Sequence, residues 1–155
     1  MRDQLNDALK AAIKGQQKRK ASTLRLINAA IKDRDIARRG DGEGRLPDEG
    51  IIDLLAKMVK QREESTRIYE EAGRLDAAAQ ETEEIEIIRS FMPAQISEDE
   101  ANTIIDSMID EAGAASMRDM GKVMGLLKSK FPGQIDAGKA AARVKQRLVA
   151  QASQG

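Results

Sequence analysis

The chain has 155 residues, 41% of them apolar and 34% charged, with 26 basic against 26 acidic side chains. That mixture is too apolar for a disordered chain and suits one or two helical domains. Cysteine and histidine are both absent, which excludes disulfides, thiolate nucleophiles, zinc-thiolate sites and every Ser-His-Asp, Cys-His or two-histidine metal arrangement.

Any catalysis would have to rest on carboxylates, lysines or hydroxyls, and the chain reads as a non-enzyme with no catalytic residue, cofactor site or metal site. No apolar run approaches the length of a membrane span, and acids interrupt the N-terminal stretch where a signal peptide needs an apolar core. The expectation is a cytoplasmic protein with no membrane partner. Tyr69, Phe91 and Phe131 are the only aromatic residues, too few for a platform on which successive unpaired bases stack.

Apolar residues recur at helical spacing almost throughout and nowhere alternate with period two, which predicts an all-α protein. The first helix puts Leu5, Leu9, Ala12 and Ile13 on one face and ends near Gly15. The second, from about Gln17 to Arg39, buries Ala21, Leu24, Ile27 and Ile31. The glycine-rich string RRGDGEGRLPD then breaks the pattern, and Pro47-Asp48-Glu49 suits the first turn of a third helix with Ile51, Leu55, Met58 and Val59 inward. Gly73 ends it, and a fourth helix from Arg74 to Met92 carries Leu75, Ala78, Thr82, Ile85 and Ile88 up to Pro93.

Beyond Pro93 the pattern restarts. Ser97-Glu98-Asp99-Glu100 has the form of a capping box with Ile96 just before it, and opens a helix that buries Ala101, Ile104, Ile105, Met108 and Ile109 before Gly113. Ser116 and Asp119 repeat the capping pattern ahead of Met120, Val123, Met124 and Leu127. Asp136 can cap a last helix with Ala141, Val144 and Leu148 inward, and the final five residues are expected to fray. This places a boundary near residue 95. An N-terminal helical hairpin or bundle domain of about four helices (1–95) precedes a small C-terminal three-helix domain (96–155).

Net charge is zero, but charge is segregated along the chain. From Ser116 onward there are eight bases, Arg118, Lys122, Lys128, Lys130, Lys139, Arg143, Lys145 and Arg147, against Asp119 and Asp136 alone, whereas Ile96 to Ala115 holds six acids and no base. The same polarity occurs earlier, with ten bases and two acids from Ala8 to Arg39 and nine acids and two bases from Glu63 to Glu86. Oppositely charged helices can simply lie side by side, exchanging surface pairs worth roughly 0 to 1 kcal/mol each. Alternatively, the last two helices present their bases to phosphates. Within the C-terminal basic stretch, MGKVMG sets Gly121 and Gly125 one helical turn apart, where each costs roughly 0.8 to 1 kcal/mol against alanine. Tight helix packing is the commoner reason for such a pair, and close approach by a sugar-phosphate backbone is the other.

MPAQISEDE (Met92 to Glu100) and DMGKVMGLLKSKFPGQIDAGKAAARVKQRL (Asp119 to Leu148), with STLRLINAAIKDRDI and VKQREESTRIYEEAGRLDAAAQETEEIEII in the front half, resemble the GatB/YqeY family, in particular its stand-alone YqeY-like members. The resemblance implies a helical N-terminal domain followed by a domain similar to the tail of the B subunit of glutamine-dependent tRNA amidotransferase, a module that binds the outer body of tRNA. By position, Gly121, Lys122 and Gly125 match the family's glycine-lysine motif, and Lys128, Lys130 and Lys139 fall in or beside its basic loop and following helix. Gln134 stands where many members carry a basic residue. The implied partners are tRNA and the aminoacyl-tRNA or transamidation machinery, with the protein as an accessory to aminoacylation and translation. Two other readings stay open: a helical protein-interaction scaffold using the Glu63 to Glu86 face or the N-terminal hairpin, and a carbon-nitrogen ligase with glutamine as amido-N-donor. The ligase reading lacks a phosphate loop or an amidase serine-lysine arrangement in the sequence.

Overall fold

A computed structural model describes the backbone of residues 1–154 and the side chains of 1–153. It contains seven α-helices and one short 3-10 helix, with no strand among the described residues. The protein is all-α, as its periodicity predicts. Two compact units divide it, one of Met1–Met92 and one beginning at Pro93.

The first unit consists of α1 (Arg2–Lys14), α2 (Lys18–Gly40), α3 (Asp48–Glu71) and α4 (Leu75–Arg89). Pro47 precedes the first turn of α3, where Asp48 and Glu49 oppose the helix dipole. Gly73 takes a φ of 73°, a left-handed value that suits glycine and lets α4 fold back on α3. Between α1 and α2 the left-handed residue is Gln16 rather than Gly15. Leu5, Leu24, Ile27, Ile51, Leu55 and Ile88 are fully buried in a single aliphatic core.

Three expected core positions lie outside it. Ile13 is 49% exposed, Leu75 is 69% exposed and Thr82 is exposed. The stripe on α4 is instead Ala78, Ile85 and Ile88. A polar pair lies in the same seam: Arg62 of α3 meets Glu84 of α4 at 3.0 Å with side chains only 13% and 12% exposed. The helix also stops at Arg89, ahead of Pro93, and hydrogen-bonded turns carry the chain to Met92.

A second polar fixture closes the loop before α3. Arg2 grips Asp35 with two hydrogen bonds of 2.7 and 2.8 Å and donates a third to the Leu46 carbonyl at 2.9 Å, while the Leu46 N–H donates to Asp35 at 2.8 Å. The Arg2 guanidinium, helped by that N–H, holds the Asp35 carboxyl down at about 2. One arginine thereby joins α1, α2 and the glycine-rich loop.

The second unit consists of α5 (Glu98–Ala112), α6 (Met120–Lys130) and α7 (Ala137–Gln154), with the 3-10 turn Met117–Asp119 leading into α6. Its starts are capped where the sequence says. Ser97 Oγ accepts from the Glu100 N–H at 3.3 Å, Ser116 and Asp119 form a reciprocal capping box, and Asp136 accepts from the Lys139 N–H at 3.0 Å. Gly113 ends α5 in a left-handed conformation, φ 63°. The core is Ile105, Ile109, Val123, Leu127, Val144 and Leu148. The last helix does not fray at residue 151 but continues to Gln154, because the Ala-Gln-Ala-Ser run contains no helix breaker. Gly155, also expected to fray, lies outside the described residues.

Candidate nucleic-acid interface

The segments that lead into α5 and α7 lie side by side. The Ile96 N–H donates to the Gln134 carbonyl at 2.9 Å, Gln95 Nε2 donates to the Gly133 carbonyl at 2.6 Å, and Gln134 Nε2 donates to the Ala94 carbonyl at 3.2 Å. Further along, Asp106 of α5 meets Arg143 and Arg147 of α7 at 3.0 and 3.4 Å. Both helices therefore start together and run in the same direction, which brings the acidic helix along one flank of the basic one. Gln134 acts here as a splint between the two lead-in segments.

That arrangement sorts seven of the eight basic residues by what faces them. Arg143 and Arg147 share Asp106, and Lys130 Nζ sits 2.7 and 2.9 Å from the two oxygens of Glu111. Lys122 Nζ donates to the Ala112 carbonyl at 2.9 Å, satisfying one of the free acceptors at the C-terminus of α5 and tying α6 to it. These four cations are engaged inside the unit. Arg118, Lys139 and Lys145 are exposed and form no ion pair with a described residue. Lys139 and Lys145 lie about 120° apart around α7, at the two edges of its exposed arc.

The glycine pair has an unambiguous geometry. Gly121 and Gly125 are exposed on the face of α6 opposite the buried Val123 and Leu127, and a Cβ built at either position meets nothing within 4 Å. Helix packing within the unit is therefore not their purpose. Arg118, Gly121, Gly125 and exposed Lys128 follow one another at helical spacing, so a smooth, side-chain-free stretch is bracketed by two cations.

The turn that delivers Arg118 is held firmly. Asp119 accepts from the Ala115 and Ser116 N–H groups at 2.9 and 3.3 Å, and those bonds push its carboxyl below the usual carboxylate range, so it stays ionised. Phe131 packs against the core of this unit and Phe91 against that of the other, while Tyr69 lies under the Arg74 guanidinium at 5.3 Å. None of the three aromatic side chains lies on the glycine face.

Residues 2–148 match the family model described as Yqey-like protein. The chain belongs to the YqeY-like family. No curated protein is significantly similar to it in sequence. In this YqeY-like protein the glycine-lysine motif divides its labour: Lys122 turns inward to cap α5, and the two glycines turn outward to open a surface. The sequence did not foretell that division, since a lysine beside two glycines reads equally as ligand or cap. It likewise gave no sign of the inter-segment splint through Gln95 and Gln134, whose partners are 38 and 40 positions away.

Proposed function

We propose that this protein is a tRNA-binding accessory factor, not an enzyme, acting in the cytoplasm beside aminoacylation or transamidation of tRNA. Its C-terminal unit takes up the phosphate backbone of the folded tRNA body. The observation that carries the reading is the open glycine face of α6 between Arg118 and Lys128, where a sugar-phosphate backbone can approach the helix without meeting a side chain. Lys139 and Lys145 on α7 add positive charge that forms no ion pair with a described residue. With no aromatic side chain on that face, the surface suits duplex-rich RNA read by shape and phosphates better than single strands read by stacking. Lys122, Lys130, Arg143 and Arg147 contribute less, because a phosphate must first displace a carboxylate or a carbonyl.

Filter binding of tRNA at two salt concentrations tests this. Affinity is expected to fall steeply with salt, with a slope of log K against log salt of about 0.7 to 0.9 per phosphate contacted. Salt-insensitive binding, or none at low salt, removes the reading. A glutamine-dependent amide-forming assay on the purified chain is expected to be negative, and a positive result would reinstate the ligase.

A second reading, a scaffold for a partner protein, is favoured by one feature of the first unit. A cleft of about 380 Å³ beside α4 has Leu75, Ala78 and Ala79 as its apolar part and Glu70, Glu83 and Glu86 at its margin. Its chemistry fits a basic amphipathic helix, with exposed Leu75 as anchor. Partners that stay bound after nuclease treatment, and leave on Leu75→Asp substitution, would favour this reading.

A further inference from the structure

The Arg2–Asp35 clasp borders a second cleft, of about 190 Å³, in the N-terminal unit. Its polar wall comes from three segments: Arg2 and Asn6 from α1, Asn28, Lys32 and Asp35 from α2, and Arg45 from the loop before α3. Three cations thus surround one carboxylate, and that carboxylate is already taken up by Arg2 and the Leu46 N–H. Asp48, the next acid near Arg2, pairs with the Met1 ammonium at 3.4 Å. Lys32 and Arg45 form no ion pair with a described residue. Among the described residues, the only hydrogen bond of the two asparagine side chains is a long one, Asn28 Nδ2 to Asn6 Oδ1 at 3.4 Å, which leaves the Asn6 amide donors unused.

We propose that this cleft is a phosphate-binding site. The excess of two positive charges matches a phosphate monoester, which carries about −1.5 to −2 near neutral pH. A carboxylate would leave one cation uncompensated. Arg45, Lys32 and the asparagine amides supply donors of the kind that oxyanions take, in charge-assisted bonds from the two cations. The clasp fixes α1, α2 and the loop in place, so the site needs little reordering to bind. The cleft is also roomier than a single phosphate, leaving space for the group esterified to it. None of these residues belongs to the C-terminal unit, so the site stands apart from the tRNA reading. Such a monoester occurs on small phosphate esters and as the terminal phosphate of an RNA, and the experiment separates the two.

The full chain is titrated at low ionic strength with glycerol phosphate, and with acetate as a monoanion control, while the side-chain amide signals of Asn6 and Asn28 are followed by NMR. Saturable shifts are expected with the phosphate ester and much weaker ones with acetate. The double variant Lys32→Gln/Arg45→Gln should weaken phosphate binding about tenfold or more, and Lys139→Gln/Lys145→Gln should leave it unchanged. Lys32 and Arg45 are exposed, so folding is not at stake. Equal response to acetate and phosphate, or undiminished binding by the double variant, overturns the proposal. In filter binding, a loss of tRNA affinity in the same variant assigns the phosphate to RNA, whereas intact tRNA binding with lost ester binding assigns it to a small phosphate ester.

Discussion

Both units segregate charge along the sequence, in opposite order, and use it differently. In the first, basic α2 and acidic α4 meet through Arg19, which reaches Glu83 and Glu84, and Arg62 joins Glu84 in a seam where both side chains are nearly buried. In the second, acidic α5 engages the inner flank of α7 through half-exposed pairs, while Arg118 of the 3-10 turn and Lys139 and Lys145 of α7 form no ion pair with a described residue. Segregated charge is thus neither simply internal glue nor simply a surface for a partner. Which it becomes depends on whether the acidic helix lies against the basic side chain or behind it.

The cores set the largest effects. Leu148 and Leu24 are both fully buried, and truncation of either to alanine should cost about 2 to 5 kcal/mol. The second unit has the smaller core, so Leu148→Ala is expected to abolish slow amide exchange throughout α5 to α7, whereas Leu24→Ala should leave measurable protection in the first unit. Equal loss in the two units would mean that core size is not what distinguishes them.

Next in size is the seam. Glu84→Leu strands the Arg62 guanidinium with the Met58 carbonyl as its remaining acceptor, and removal of one partner from a pair this buried should cost about 3 kcal/mol in chemical denaturation. A cost under about 1 kcal/mol would place the pair with ordinary surface bridges.

The glycine face makes a prediction with two signs. Gly121→Ala and Gly125→Ala meet no atom and should each stabilise the second unit by about 0.8 to 1 kcal/mol through helix propensity, while weakening tRNA binding by keeping the backbone at a distance. Stabilisation without loss of binding would show that RNA docks elsewhere. No comparable position exists at Gly73, where a φ of 73° makes any side chain strained.

Acid sensitivity should separate the units further. The Asp35 carboxyl is held at about 2, down from an ordinary 3.8. A depressed carboxyl contributes stability that is fully present above its unfolded value and is lost as pH falls through its folded value. The clasp should therefore weaken between about pH 4 and pH 2, and Asp35→Asn should flatten that part of the first unit's acid unfolding curve. An unchanged curve would mean that Arg2 and the Leu46 N–H do not hold the loop.

Much of the fold was legible because its signals are local. Helical spacing, Pro47, Gly113 and the capping pairs at Ser97, Ser116 and Asp136 each act within a few residues, and the structure uses all of them. What escaped depends on partners far along the chain. Leu75 and Thr82 have the right period for a core stripe, yet both are exposed, while Arg62 and Glu84 meet in the seam from 22 positions apart. Asn6, Lys32 and Arg45 are unremarkable singly and become a cleft only when Arg2 reaches Asp35. The same limit governs the eight C-terminal bases, whose count is plain in the sequence but whose availability is set by Asp106 and Glu111 from another helix.

That last dependence gives the smallest stability effect and the sharpest test of the comparison. Asp106 holds Arg143 and Arg147 with side chains that are 29% and 43% exposed, against 32% for its own. Such half-exposed pairs are worth roughly 0 to 1 kcal/mol each, so Asp106→Asn should leave the unit folded. It should also release two guanidinium groups on the flank that continues from Lys139. Under the tRNA-binding proposal the variant binds RNA more tightly than the natural chain, and its salt slope steepens by about 0.7 to 0.9 for each arginine that finds a phosphate. The reciprocal substitution in the first unit, Glu83→Gln, frees no cation on the C-terminal surface and should leave the slope unchanged. Asp106→Asn with wild-type affinity would mean that RNA does not reach this side of α7, and would confine the interface to the glycine face of α6.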